Sequence, residues 1–245
     1  MTQECKSNSF LYANSGNSKI IKGFFFLTFF LTVFCTFCSA QSNGLPIQAQ
    51  YVQSTKPFIF YASGDGGMNN FSERLIKTLN QEGYATVALN TRKYFWSAKT
   101  PQQFAQEIQP VIQNYLKMWH KDRFYLIGYS FGADVSAFLP NDMNPQIVAK
   151  IISMILISPG YSTDYEVKLM DMMRNNVPTT GGKYQVYPEL VKANKRVLCI
   201  FGSEENSDFY SGLKETSQIR KVLVAGSHHY EGDMKLLFHA INKGL

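Results

Sequence analysis

The sequence predicts an α/β fold in which a mostly parallel sheet carries helices on both faces. Two observations predict it. Apolar runs of strand length alternate with amphipathic stretches of helix length, which is the pattern of strands joined by helical crossovers. The run "AKIISMILISP" (149–159) offers no continuous polar face, as expected of a strand that is buried on both sides of the sheet.

The individual elements follow from this alternation. The predicted strands span 57–63, 84–90, 123–129, 149–159, 196–202 and 220–226. The predicted helices span 71–83, 100–119, 131–140 and 231–244. In the second helix Thr100 is a suitable N-cap and Pro101 fits the first turn, where its missing N–H has no cost. Gly83 is a suitable end for the first helix.

The first forty residues have the features of a secretory signal peptide. Lys19 and Lys22 precede the apolar stretch "GFFFLTFFLTVFCTF", which ends at the small residues "CSA". Cleavage is expected after Ala40; the alternative is an uncleaved membrane anchor. Residues 41–245, about 205 in number, then form a single domain large enough for a sizeable core.

Cysteine usage and charge limit the function classes. Three cysteines leave with residues 1–40, and Cys199 stays alone in "RVLCIF", so it is expected to be a buried thiol without a disulfide partner. Without residues 1–40, which hold three Lys and one Glu, the net charge falls from +6 to about +4. This charge favours contact with an anionic membrane surface and does not indicate nucleic-acid binding. Because metal-ligand spacing is absent from the sequence, we expect no metal and no cofactor.

The stretch 160–194 interrupts the alternation of strands and helices. It is rich in Pro, Gly and Met. One interpretation is a surface excursion with a short helix. The other is a cap over the active site, in which Met and Tyr side chains receive an apolar part of the substrate.

Ser130 is the candidate nucleophile. It is the central residue of Gly128-x-Ser130-x-Gly132, between the strand 123–129 and the helix 131–140. This context is that of a nucleophile elbow, in which small flanking residues let strand and helix approach closely and a strained turn exposes the hydroxyl. The context favours an α/β-hydrolase fold, for which the order along the chain is serine, acid, histidine.

Candidate bases and acids follow in that order. The strand 220–226 leads to His228 and His229. His229 is favoured as the base because it lies three residues after the loop glycine and precedes an aromatic residue, with His228 as the alternative. The strand 196–202 leads to the acid candidates, of which Glu205 is favoured by its offset and Asp208 requires a longer loop. The acid orients the imidazole and stabilises its charged form.

An oxyanion hole is expected from two backbone segments. One donor is the N–H of Phe131, directly after the nucleophile. The other comes from the loop "SGDGGMNN" (63–70), in which the amides of Asp65 and Gly66 are the candidates. Glycines in this loop let the backbone approach an oxyanion without a Cβ in the way.

The mature chain resembles the VirJ and AcvB family of bacterial virulence proteins. The resemblance is carried by "SGDGG", "RKYFWS" with "KTP" close behind, "GYSFGADV" and "GSHHYEGD". It implies a periplasmic α/β hydrolase linked to type IV secretion, with Ser130 as nucleophile. AcvB-like members are regarded as hydrolases of lysyl-phosphatidylglycerol. Two departures are that longer relatives have an additional N-terminal domain and that Met68 stands where tryptophan is expected.

The resemblance implies an aminoacyl-phospholipid substrate, an anionic membrane surface and possible secretion-system partners. The lysyl ammonium needs an acidic contact, for which the candidates are Asp65, Asp134, Asp164 and Glu166. The segment 92–97 is either an aromatic wall of the substrate site or packing beneath the helices. Two other functions stay open: a general carboxylesterase or lipase, and a non-catalytic virulence or secretion accessory protein.

Overall fold

The computed structural model describes residues 44–167 and 181–245 and contains a seven-stranded sheet. In chain order its strands are β1 (Ile47–Gln50), β2 (Phe58–Ala62), β3 (Thr86–Leu89), β4 (Phe124–Tyr129) and β5 (Ile151–Ile157), then, after the short strands β6 (Ser162–Thr163) and β7 (Tyr184–Gln185), β8 (Val197–Gly202) and β9 (Ile219–Val224). The spatial order is β1-β3-β2-β4-β5-β8-β9, and all pairings are parallel except β1 with β3. This confirms the predicted mostly parallel sheet.

Helices connect the strands. Within the described residues they are α1 (Asn70–Gln81), α2 (Thr91–Tyr94), α3 (Pro101–Met118), α4 (Phe131–Ser136), α5 (Leu139–Asp142), α6 (Pro145–Val148), α7 (Val186–Ala193), α8 (Asp208–Gly212) and α9 (Met234–Ile241). At the start of α3, Thr100 and Gln103 form the reciprocal hydrogen bonds of a capping box. The expected cap at Thr100 is therefore present.

Three elements differ from the sequence prediction. The predicted helix 131–140 is divided into α4 and α5, because Pro140 has no N–H to donate to the carbonyl of Ser136. The last helix begins at Met234, after a turn in which Glu231 has a φ of 50°. Strand β1 was not predicted, since it is an edge strand without buried side chains and shows no alternation.

The sheet is covered on both faces. Ile59 and Tyr61 of β2 belong to a core cluster with residues of α1 and α9. On the opposite face Phe58 packs edge-on against Trp119, which ends α3. Side chains of β2, β4 and β8 are buried along their whole length, as expected for central parallel strands.

The parallel pairing brings six loops to one edge of the sheet. Ala62 pairs with Gly128, Tyr129 with Ile157, and Gly202 with Val224. The loops that follow β2, β3, β4, β5, β8 and β9 therefore emerge at the same edge. In open α/β sheets this carboxyl edge is where ligands bind.

Several sequence predictions lie partly or wholly outside the described residues. The predicted signal peptide 1–40 with three cysteines is one of them, and residues 168–180 of the predicted cap are another. In the described part of the segment 160–194, the side chain of Tyr165 is fully buried. Its hydroxyl donates to the carbonyl of Val135 (2.9 Å). Cys199 is a buried free thiol. In the described ranges, no helix has the length and apolar character needed to cross a membrane.

Candidate active site

Ser130 lies in a sharp turn between β4 and α4. Its φ of 51° is in the left-handed region, where a residue with a Cβ is strained and needs support from its surroundings. The two flanking glycines are a steric requirement. A Cβ on Gly128 would lie 2.4 Å from the carbonyl oxygen of Gly132, and a Cβ on Gly132 would lie 2.2 Å from that of Ser63. The motif therefore forms the elbow that its context predicted.

The side chain of Ser130 contacts the imidazole of His228. Ser130 Oγ and His228 Nε2 are 3.0 Å apart, which is hydrogen-bond distance for a nucleophile and its base. The other ring nitrogen, Nδ1, lies 3.5 Å from Glu205 Oε2. Three separate loops thus place a hydroxyl, an imidazole and a carboxylate in one row.

The sequence-based preference for His229 as the base does not match this geometry. The ring of His229 is exposed and lies edge-on to Phe71, at a centroid distance of 5.9 Å. The residue after His229, Tyr230, is fully buried and fixes this end of the loop in the core. With Tyr230 in the core, His228 is the histidine that faces Ser130. Partial burial and the neighbouring His228 lower the pKa of His229.

Glu205, rather than Asp208, is the carboxylate that reaches an imidazole. Its Oε1 accepts hydrogen bonds from the backbone N–H of Gly202 (3.0 Å) and from Ser158 Oγ (2.5 Å). Burial raises the pKa of Glu205, but the hydrogen bonds from His228, Ser158 and Gly202 outweigh it, and the pKa is below its ordinary value. Asp208 is exposed in the first turn of α8.

Ser158 and Tyr230 support Glu205 and were not among the predicted site residues. Ser158 directly follows β5 and has a φ of 51°. Tyr230 OH lies 2.7 Å from Ser158 Oγ and 3.2 Å from the carbonyl oxygen of Ile200. Since Ser158 donates its proton to Glu205, the tyrosine hydroxyl donates to Ser158. A polar residue at the carboxyl end of an apolar central strand is the sequence signal that would have indicated Ser158.

Replacing Ser158 with alanine is expected to lower kcat/KM for an ester by about tenfold, because one hydrogen bond to a charged group is lost. The pKa of Glu205 should rise towards its ordinary value. A carboxylate with a depressed pKa stabilises the fold above its unfolded pKa, and this contribution is lost as pH falls through the folded pKa. In the variant this contribution is smaller and is lost at a higher pH, so the midpoint of acid unfolding moves to a higher pH.

The control for this variant is Ser153→Ala, which removes a hydrogen bond of equal length, to the carbonyl of Gly244, from the strand that Ser158 follows. Its acid-unfolding midpoint should move less than that of Ser158→Ala, since Ser153 does not contact Glu205. An unchanged acid-unfolding midpoint in Ser158→Ala would contradict the role of Ser158.

The loop after β2 lies against the nucleophile. A Cβ on Gly64 would lie 3.4 Å from that of Ser130. Thr91 fixes this loop, because its hydroxyl donates to the carbonyl of Gly64 (2.5 Å) and its N–H donates to Ser63 Oγ (3.1 Å). The amide of Gly66 donates to Asp65 Oδ1 (2.8 Å). Because the Gly66 amide already donates to this carboxylate, the backbone amide of Asp65 is the candidate oxyanion donor from this loop.

Phe131 supplies the other candidate oxyanion donor. It is the first residue of α4, and the first N–H groups of a helix have no acceptor inside the helix. Its backbone N–H is thus positioned directly after the nucleophile, as the sequence predicted. No group of residues suited to holding a metal ion occurs among the described residues.

The chain matches a known family of bacterial proteins. Residues 57–245 match the model of the family described as "Bacterial virulence protein (VirJ)". The chain belongs to the VirJ family. No curated protein was found to match it in sequence.

Solved structures similar to this VirJ-family chain have the α/β-hydrolase fold. Est1E from Butyrivibrio proteoclasticus is 17% identical with a TM-score of 0.57, over 80% of this chain and 90% of that one. An alpha-beta serine hydrolase homologue from Coxiella burnetii is 18% identical with a TM-score of 0.54, over 80% and 89%. A lipase-esterase related protein from Clostridium acetobutylicum is 13% identical with a TM-score of 0.56, over 82% and 100%. The predicted fold is confirmed.

The sequence left open whether the segment 92–97 is an aromatic wall of the site or packing beneath the helices, and the structure shows aromatic side chains of both kinds. Phe95 is buried and packs edge-on against Phe131, at a centroid distance of 5.2 Å. Trp96 is 56% exposed. The segment is therefore partly packing beneath the nucleophile helix and partly an accessible aromatic surface.

Proposed function

We propose that this VirJ-family chain is a serine hydrolase of carboxylic esters. The observation that carries the proposal is the row formed by Ser130, His228 and Glu205, with 3.0 Å between hydroxyl and imidazole and 3.5 Å between imidazole and carboxylate. Residues from three loops in this order have the arrangement by which triads are recognised on unrelated folds.

Each residue has a defined role in the reaction. His228 Nε2 takes the proton of Ser130 as Oγ attacks the ester carbonyl, and the backbone N–H groups of Phe131 and Asp65 donate to the resulting oxyanion. Protonated His228 then gives its proton to the departing alcohol. Water attacks the acyl-enzyme with His228 again as base, and Glu205 holds the ring orientation and stabilises its positive charge.

The substrate that we propose is the aminoacyl ester of aminoacyl-phosphatidylglycerol, in the periplasm. Membership in the VirJ family and the resemblance of the site motifs to AcvB-like lysyl-phosphatidylglycerol hydrolases support it. The secretory features of residues 1–40 and the positive net charge of the chain suit an exported protein that contacts an anionic bilayer.

The test is release of lysine from lysyl-phosphatidylglycerol in mixed vesicles by the purified protein, with a short neutral ester assayed in parallel. The proposal expects lysine and phosphatidylglycerol as products. Cleavage of the short ester with the lipid left intact would instead indicate a general carboxylesterase or lipase. Cleavage of neither ester would indicate a non-catalytic accessory protein.

A further inference from the structure

The carboxylate of Asp65 is an unusual feature of the loop that contributes to the oxyanion hole. It is half-buried, and its Oδ1 accepts from the amide of Gly66. In the described part of the chain, no lysine or arginine forms an ion pair with it. An acidic side chain with spare acceptor capacity therefore lies on the loop that packs against the nucleophile.

The negative charge of Asp65 acts on the surroundings of Ser130. It is one of the charges that raise the pKa of Tyr129, the residue before the nucleophile, and of Asp134 on α4. It also opposes the lowering of the pKa of His229. Asp65 directly follows Gly64, where an added Cβ would lie 3.4 Å from that of Ser130. This position and these couplings place the Asp65 carboxylate in the neighbourhood of the reacting groups.

A carboxylate at this place is unfavourable for hydrolysis of a neutral ester. As the carbonyl oxygen becomes an oxyanion, two like charges are brought close together, and such repulsion is strong where water is partly excluded. The same carboxylate is favourable if the substrate brings a cation. In an aminoacyl ester the α-ammonium group is on the carbon bonded to the ester carbonyl, so it reaches the site together with that carbonyl.

Asp134 is not suited to binding the ammonium group of the substrate. It is only 6% exposed, and its Oδ1 accepts from the backbone N–H of Gly160 at 2.6 Å. Burial raises its pKa well above the ordinary value. Asp134 therefore has a structural contact and a weakened tendency to be charged, which leaves Asp65 as the carboxylate beside the nucleophile.

We infer that the Asp65 carboxylate binds the α-ammonium group of an aminoacyl ester and so selects aminoacyl over plain acyl substrates. The inference rests on the proposed function and adds the residue that determines specificity. Because every aminoacyl ester carries this ammonium group, the selection applies whatever the amino-acid side chain is.

The test compares the ethyl esters of alanine and of propanoic acid, which differ only in the amino group. In the wild type kcat/KM is expected to be higher for the alanine ester. In Asp65→Asn, where the amide oxygen still accepts from Gly66, kcat/KM for the alanine ester should fall by about tenfold to a hundredfold. The propanoate ester should be hydrolysed faster, because a charge that repels the oxyanion is gone.

Glu73→Gln is the matched control, since it removes an exposed carboxylate from the first turn of α1, just after the same loop. Its ratio of the two kcat/KM values should equal that of the wild type. Labelling of Ser130 by a fluorophosphonate shows whether Asp65→Asn keeps a folded site.

Two results would overturn the inference alone: an Asp65→Asn variant with the wild-type ratio, or a wild type that prefers the propanoate ester. Both leave Ser130-dependent hydrolysis in place. Absence of Ser130-dependent cleavage of either ester would overturn the proposed function and the α-ammonium site with it.

Discussion

Replacing Ser130 with alanine is expected to reduce ester hydrolysis by about ten-thousandfold or more. The hydroxyl that lies 3.0 Å from His228 Nε2 is the group that forms the acyl-enzyme, and alanine cannot replace it. Steady-state hydrolysis of a short ester and of lysyl-phosphatidylglycerol measures the loss.

The fold of this variant should be retained. Alanine and serine both carry a Cβ, so the strain at a φ of 51° is the same for both. Thermal unfolding followed by circular dichroism is the control, and the midpoint should stay within a few degrees. A folded alanine variant that hydrolyses ester at the wild-type rate would show that Ser130 is not the nucleophile.

The two neighbouring histidines are expected to differ sharply on substitution. His228→Ala should lower kcat by about a thousandfold or more, because it removes the base and leaves Glu205 without its imidazole partner. His229→Ala should change kcat by less than about tenfold, since the ring lies exposed against Phe71. Both variants lose one imidazole from adjacent positions, so each is the control for the other.

The assay is kcat on one short ester for both variants at a pH where the wild type is fully active. Equal losses in the two variants, or a larger loss in His229→Ala, would contradict the assignment of His228 as the base. Thermal unfolding of each variant separates a catalytic loss from a folding defect.

The nucleophile turn and the favoured acid were predictable because they depend on local sequence. Gly128 and Gly132 flank Ser130 between a strand and a helix, and the steric contacts of both glycines allow no Cβ. Glu205 was favoured by its offset from Gly202, and its Oε1 does accept from the amide of that glycine. In both cases a short stretch of backbone determines where the side chain lies.

The choice between the histidines depends on tertiary packing and was not predictable from spacing. Tyr230 is fully buried and reaches across the sheet edge to Ser158, which is 72 positions away in the chain. This distant contact anchors the loop in which His228 lies against Ser130. The same contact explains why Ser158 was missed, since its partner is remote in sequence.

The measurement that tests the central claim most directly is the rate at which a fluorophosphonate modifies the wild type, followed by intact mass and peptide mapping. If His228 activates Ser130, one adduct forms, it maps to Ser130, and its formation is slowed far more by His228→Ala than by His229→Ala. An adduct on another residue, or equal labelling of the wild type and His228→Ala, would contradict the account.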